Sequence, residues 1–210
     1  FYRLIPQVVA FPKNENELAT LVKHAREMKL PVTFRAAGTS LSGQAITDSI
    51  LIVIGEKWNK HRVLDEGKSI ELEPGIRGGR VNAILRPFGR KFGPDPASLN
   101  ACMVGGIVMN NASGMSCGTW ANSDKLLESI RLILSDGTIL DTGSEESIRT
   151  FKTTHREIID GIRKIRDDIR ADQELTERIR YKYSIKNVMG LNLRPFVEYE
   201  DEIEIFTHLI

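Results

Sequence analysis

The stretch Arg35-Ala-Ala-Gly-Thr-Ser-Leu-Ser-Gly43 follows the short run Pro31-Val-Thr-Phe and precedes the apolar run Ser49-Ile-Leu-Ile-Val-Ile54. Gly38 and Gly43 permit positive φ and close approach, and Thr39, Ser40 and Ser42 carry hydroxyl donors. Arg35 adds a positive charge, and the backbone N–H groups between these residues can converge on an anion, most simply a phosphate. A solvent-exposed turn between two strands would use the same residue types, so the loop alone leaves both readings open. Two phosphate motifs are excluded. Gly38 to Gly43 has G-x-x-x-x-G spacing, but Gln44 and Ala45 stand where a P-loop needs Lys and Ser or Thr, and there is no G-x-G-x-x-G.

Working outward, Pro12-Lys-Asn-Glu-Asn-Glu17 opens a helix in which Asn14 and Glu17 have capping spacing, and Leu18, Leu21, Val22, Ala25 and Met28 recur at helical period. Strands over 31–35 and 49–54 complete an α/β unit that ends near Gly55. A second unit begins after Trp58. It opens with a strand at Ser69-Ile-Glu-Leu-Glu73, followed by a helix from about Arg77 to Phe88. Residues 93–124 are rich in Gly, Ser and Asn and read as irregular, and long irregular stretches inside compact domains are usually functional. Ile130-Arg-Leu-Ile-Leu134, the turn Asp136-Gly137 and Thr138-Ile-Leu140 form a hairpin. Thr154 to about Tyr183 reads as helix, with an apolar isoleucine stripe and a charged, solvated opposite face.

Composition narrows the function. The 210 residues are 41% apolar and 27% charged, enough for a substantial core, and the net charge of +1 gives no field to hold a nucleic-acid backbone. No run approaches the roughly 20 apolar residues that cross a bilayer, and no secretory signal opens the chain. Cys102 and Cys117 are expected as reduced thiols, and His24, His61, His155 and His208 show no metal-ligand spacing. The chain reads as cytoplasmic, or as peripheral at the inner membrane. It starts at Phe1 and stops at Ile210 inside an element begun at Ile203, as expected of a piece of a longer polypeptide.

Val104-Gly-Gly-Ile-Val-Met-Asn-Asn-Ala-Ser-Gly-Met-Ser-Cys-Gly118 supplies a second small-residue wall, suited to a flat polar heterocycle. Two such loops point to a dinucleotide. RAAGTSLSGQ, GPDPAS, VGGIVMNNASGMSCG and SDGTILDTG together resemble the flavin-binding domain of FAD-linked D-2-hydroxyacid dehydrogenases, the family of D-lactate dehydrogenase and the flavin-binding chain of glycolate oxidase. That family has the α/β, two-subdomain FAD-binding fold of p-cresol methylhydroxylase and vanillyl-alcohol oxidase. The resemblance runs from about Pro6 to Leu209. Its NNASGMSCG wording is most similar to long members that carry a C-terminal iron–sulfur domain.

The resemblance implies subdomains at 1–57 and 58–210, with FAD gripped between them. It puts the pyrophosphate on Arg35, Ala36, Ala37, Gly38, Thr39, Ser40, Leu41, Ser42 and Gly43, with Gln44 adjoining. Pro94, Asp95, Gly105, Gly106, Asn110, Asn111, Ser113, Gly114, Met115, Ser116 and Gly118 would line the rest. Covalent relatives carry a histidine in the first loop; here there is none, so noncovalent FAD is implied. The activity implied for the whole protein is oxidation of a D-2-hydroxyacid such as lactate, glycolate or 2-hydroxyglutarate to the 2-oxoacid. Electrons would pass to an iron–sulfur centre, quinone or cytochrome. The catalytic residues, any metal-binding histidines and any iron–sulfur cluster are expected beyond Ile210, leaving this piece inactive alone. Two alternatives stay open: another flavoenzyme of this fold, or a flavin-free interaction module that kept it.

Among single residues, Cys117 is expected to pack near the cofactor, and the Asn111-Ala-Ser113 sequon to be coincidental. His61 and His155 are expected at the surface. Lys186 and Asn187, within 184–190, fit either a structural turn or a flavin contact.

Overall fold

Three short parallel strands, β1 (Val8–Ala10), β2 (Val32–Arg35) and β3 (Ile50–Val53), form a sheet in the order β1-β3-β2. In this computed structural model residues 3–188 and 191–209 are described; Phe1, Tyr2, Met189, Gly190 and Ile210 lie outside them. The expectations for the two chain ends and for the end of segment 184–190 therefore fall outside the described residues. β3 is central, with Ile50, Leu51 and Ile52 all buried, as a strand enclosed on both faces requires. Helix α1 (Glu15–Glu27) is capped by Asn14, whose side chain accepts the N–H of Glu17, and it lays Leu18, Val22 and Ala25 against Ile50, Ile52, Ile54 and Trp58.

β4 (His61–Leu64) and β5 (Ser69–Leu72) pair antiparallel, and helix α2 (Gly78–Leu85) follows. Ile76, Val81, Leu85 and Val104 make a second core cluster. β6 (Arg131–Ile133) and β7 (Ile139–Asp141) are the expected hairpin. It lies on α1: Ile133 joins the first cluster, Gly137 turns with φ 85° against Ala19, and Arg131 Nε donates to Glu15 Oε1 at 2.7 Å.

Several expectations are corrected. β1 and β4 were not anticipated, because three or four residues such as Val8-Val-Ala10 carry too little periodicity to register. Within 93–124, expected to be irregular, α3 (Val104–Met109) and α4 (Ser123–Leu126) are helical. The helix expected over 154–183 is two: after α5 (Glu145–Thr154), α6 (Arg156–Ala171) and α7 (Gln173–Ser184) break at Asp172, whose side chain accepts the N–H of Leu175 and caps α7. The terminal segment forms α8 (Pro195–Glu198) and α9 (Glu202–Thr207). Isoleucines of α6, with Ile179, Phe196 and Ile205, build a helical layer, and Leu140, Phe151, Ile159 and Ile203 fasten it to β7.

His155 is not a surface residue. Its side chain is 13% exposed, stacks on Phe151 with centroids 4.6 Å apart, and places Nε2 2.9 Å from Asp136 Oδ2 and Nδ1 2.8 Å from Thr154 Oγ1. A neighbouring hydroxyl and a turn carboxylate drew the ring inward, a pairing that adjacency in sequence did not reveal.

Candidate cofactor site

The first loop leaves the sheet at the carboxyl end of β2, where Arg35 is in register with Val53 and its carbonyl accepts the N–H of Ile54 at 2.8 Å. Gly38 has φ 69° and Gly43 φ 79°, a left-handed conformation that admits glycine at least cost. The Arg35 guanidinium folds over Gly38: a Cβ there would stand 2.5 Å from Nε. Among the described residues, Arg35 makes no side-chain hydrogen bond or ion pair, and the N–H groups of Ala36 to Leu41 bond to nothing within the chain. Thr39, Ser40, Leu41 and Ser42 are exposed. Ser40 is committed to Gln44, donating from Oγ to Oε1. What remains is a cradle of uncommitted donors with one unpaired cation, the donor chemistry a pyrophosphate needs.

The second segment is built differently. Gly105 and Gly106 belong to α3; the N–H of Gly105 donates to Pro74 O at 2.9 Å, and a Cβ there would meet the Pro74 ring at 2.8 Å. Gly106 is exposed with open space beside it, and Asn110 closes the helix as its C-cap. Beyond Asn111, at φ 41°, the backbone is held by side chains. Asp95, behind the buried Pro94, accepts the N–H of Ser116 at Oδ2 (2.9 Å) and of Cys117 at Oδ1 (3.2 Å). Burial opposes ionisation of Asp95, but these hydrogen bonds outweigh it and hold its pKa below the ordinary value. Gly114 presses on the same residue, since a Cβ would overlap the Asp95 carbonyl oxygen. Gly118 turns the chain with φ 58° beside Trp120, and Met115 is 97% exposed. Cys117, only 1% exposed, sits 2.8 Å from Ser113 Oγ and accepts the N–H of Gly114 at 3.2 Å, a packing role as expected.

The structure therefore unites Pro94 and Asp95 with Ser113 to Gly118, whereas Arg35 to Gln44 forms no hydrogen bond with them among the described residues. Backbone contacts tie α3 to the carboxyl end of the sheet. Past β3, Trp58 O accepts the N–H of Gly75, and Ile76 O and Pro74 O accept those of Val104 and Gly105.

A third group surrounds the second segment. Lys186 Nζ donates to Gly114 O at 2.5 Å, and Asn187 O accepts from Asn122 Nδ2 (3.1 Å) and Asn111 Nδ2 (3.5 Å). Asn111 Oδ1 accepts the N–H of Asp124, whose Oδ2 is held by Asn192 Nδ2 and Arg194 Nη2, both at 3.0 Å. Asp124 and Arg194 side chains are each 6% exposed. Lys186 and Asn187 were legible in sequence as a turn or contact; Asp124 and Arg194, so far apart in the chain, carried no signal.

Residues 6–143 match the FAD binding domain family, and the chain belongs to it. It is 30% identical over 147 residues to the D-2-hydroxyglutarate dehydrogenase of Pantoea ananatis, covering 67% of this chain and 14% of that protein. Against the glycolate oxidase protein GlcD of Escherichia coli K12 it is 30% identical, covering 69% of this chain and 29% of the other; against the D-lactate dehydrogenase of Archaeoglobus fulgidus it is 28% identical, covering 66% and 31%. The chain thus spans less than a third of the length of these relatives. Among solved structures, 6-hydroxy-D-nicotine oxidase from Arthrobacter nicotinovorans superposes with a TM-score of 0.59 at 17% identity over 67% of this chain and 30% of that one. Alkyldihydroxyacetonephosphate synthase superposes at 0.54 with 19% identity, over 67% and 28%. The α/β FAD-binding fold is the one these enzymes share. No helix among the described residues is long and apolar enough to cross a membrane.

Proposed function

We propose that this chain binds FAD noncovalently, with the pyrophosphate on Arg35 to Gly43, Gln44 beside it, and the rest of the cofactor along Pro94, Asp95, Gly105, Gly106, Asn110, Asn111 and Ser113 to Gly118. Residues 1–57 and 58–210 act as the two subdomains that hold it. The observation that carries this reading is the loop after β2, whose N–H groups from Ala36 to Leu41 and whose Arg35, folded over Gly38, have no partner among the described residues. No histidine or cysteine stands between Arg35 and Gln44 to form a bond to the flavin.

The intact protein is an oxidoreductase acting on a D-2-hydroxyacid of the lactate, glycolate or 2-hydroxyglutarate class, in keeping with the names of its relatives. Bound FAD would supply the acceptor for the substrate's α-hydrogen as hydride. This chain's share is to hold and orient the cofactor and to surround it with aligned dipoles. Electrons then leave to a quinone, a cytochrome or an iron–sulfur centre in a further domain, in the cytoplasm or at the inner membrane face.

Titration with FAD, followed by flavin fluorescence, tests the reading. Saturable binding is expected, and Gly38→Val should weaken it at least about tenfold (~1.4 kcal/mol), because a β-branched side chain at φ 69° deforms the cradle and displaces Arg35. Equal affinity in the variant would remove the loop from the site; no binding by the folded wild type would favour a flavin-free module.

A further inference from the structure

The family match ends at residue 143, yet the segment that steadies the second cofactor loop comes from beyond it. From Ser113 to Ser116 the loop has no backbone-to-backbone hydrogen bonds among the described residues, so its shape depends on what grips it from outside. One grip is Asp95. The other is a strap, made of Lys186 and Asn187 together with Asn192 and Arg194, that fastens to it at three places. Lys186 Nζ holds Gly114 O; Asn187 O gathers Asn111 and Asn122; Asn192 and Arg194 clamp Asp124. The second and third fastenings lead to the loop by one more bond. Asn122 Oδ1 lies 3.2 Å from the Cys117 thiol, and Asn111 Oδ1 takes the N–H of Asp124 while its own backbone holds the left-handed turn into the loop.

We propose that the strap, with Lys186 and the Asp124–Arg194 pair as its anchors, is a positioning element for the flavin, so that residues outside the FAD-binding family match help set cofactor affinity and electronic environment. This inference rests on the FAD reading above. The clamp is specific to arginine: Nη2 meets both Asp124 Oδ2 and the Asp124 carbonyl (3.4 Å), while Nε lies 2.9 Å from Glu198 Oε2, within ion-pair reach but not aligned for a hydrogen bond. A lysine cannot span these acceptors. Lys186, by contrast, is exposed, and its removal leaves no buried charge behind.

The test uses the intact protein loaded with FAD, and reads the FAD dissociation constant, the flavin absorbance spectrum and the melting temperature without ligand. Lys186→Met is expected to raise the dissociation constant about fivefold and to shift the flavin bands, with the ligand-free melting temperature unchanged; fivefold corresponds to about 1 kcal/mol, the size of one net hydrogen bond. Lys186→Arg should restore affinity to within about twofold of wild type, because it keeps a donor for Gly114 O. Arg194→Lys should perturb the spectrum in the same direction. Wild-type affinity and spectrum in both Lys186→Met and Arg194→Lys would overturn the inference while leaving FAD binding intact. Failure of the wild type itself to bind FAD would instead overturn the reading beneath it, and this inference with it.

Discussion

Asp95 fixes the backbone of the second segment, because one carboxylate accepts two consecutive N–H groups, those of Ser116 and Cys117. Charge-assisted hydrogen bonds of this kind are worth roughly 1.5–3 kcal/mol each. Asp95→Ala should therefore weaken FAD binding by at least about tenfold, and Asp95→Asn, which keeps one acceptor oxygen, by less; fluorescence titration at neutral pH separates the two, and no loss in either would detach Asp95 from the site. Asp136 makes a pH-dependent contribution away from the loops. Burial works against its ionisation, but the Thr138 N–H, His155 and the Thr138 hydroxyl more than offset this and bring its pKa down from 3.8 to about 2. A carboxylate whose pKa falls on folding stabilises the native state above its unfolded pKa and loses that stabilisation as pH falls through the folded value. The shift alone would give roughly 2 kcal/mol, which solvent screening of a side chain 33% exposed reduces to about 1 kcal/mol. Asp136→Asn should cost that much in urea unfolding at pH 7, and the gap should close between pH 3.8 and about 2. A constant gap across pH would mean that the residue acts through shape rather than charge.

At the scale of elements, what could be read in the sequence was whatever local chemistry dictates. Asn14 with Glu17 announces the start of α1, the apolar run at 50–53 announces a buried strand, and Asp136-Gly137 announces the hairpin turn. The backbone of the Arg35–Gly43 loop was legible for the same reason, since Gly38 and Gly43 adopt the positive φ that their placement suggested. The elements that escaped depend on partners elsewhere. α3 contains two adjacent glycines, each costing about 1 kcal/mol relative to alanine in a helix interior, and it forms because Val104 and Ile107 are buried and Ile76 and Pro74 accept its first N–H groups. The break at Asp172 has neither glycine nor proline to mark it. An isoleucine stripe continuing through Ile169 and Ile179 looks like one helix until the turn directs both residues into a single cluster. The second loop was legible as a candidate site, but the contacts around it were not: only folding brings Asp124 beside Asn192 and Arg194.

At the scale of the molecule, the helical layer of α5 to α9 meets the FAD-binding region through several contacts, among them the hydrogen bonds of His155 to Asp136 and of the Asp141 N–H to Ser147 Oγ, and two of these contacts are of opposite character. One is apolar, Leu140 of β7 against Phe151, Ile159 and Ile203. The other is the polar strap, locked by a pair whose two side chains are each 6% exposed. Burying such a pair costs desolvation, so its net worth is small compared with the penalty for removing one member, which leaves a charge stranded. Among the described residues Asp124 Oδ1 has no hydrogen-bond partner, so the side chain depends heavily on what Oδ2 receives. Arg194→Met should thus destabilise the protein by about 3 kcal/mol, as expected for a stranded buried carboxylate, and Asp124→Asn by a comparable amount. Combining them should cost clearly less than the sum, with a coupling of about 2 kcal/mol in a double-mutant cycle, read from urea unfolding monitored by Trp58, the buried tryptophan, and Trp120, the exposed one. Additive losses would mean that the two residues serve separate contacts, Arg194 through Glu198 and Asp124 through Asn192, and that the pair does not couple the helical layer to the second segment. Coupling of the expected size makes the strap one cooperative unit, through which loosening of the helical layer reaches the second loop.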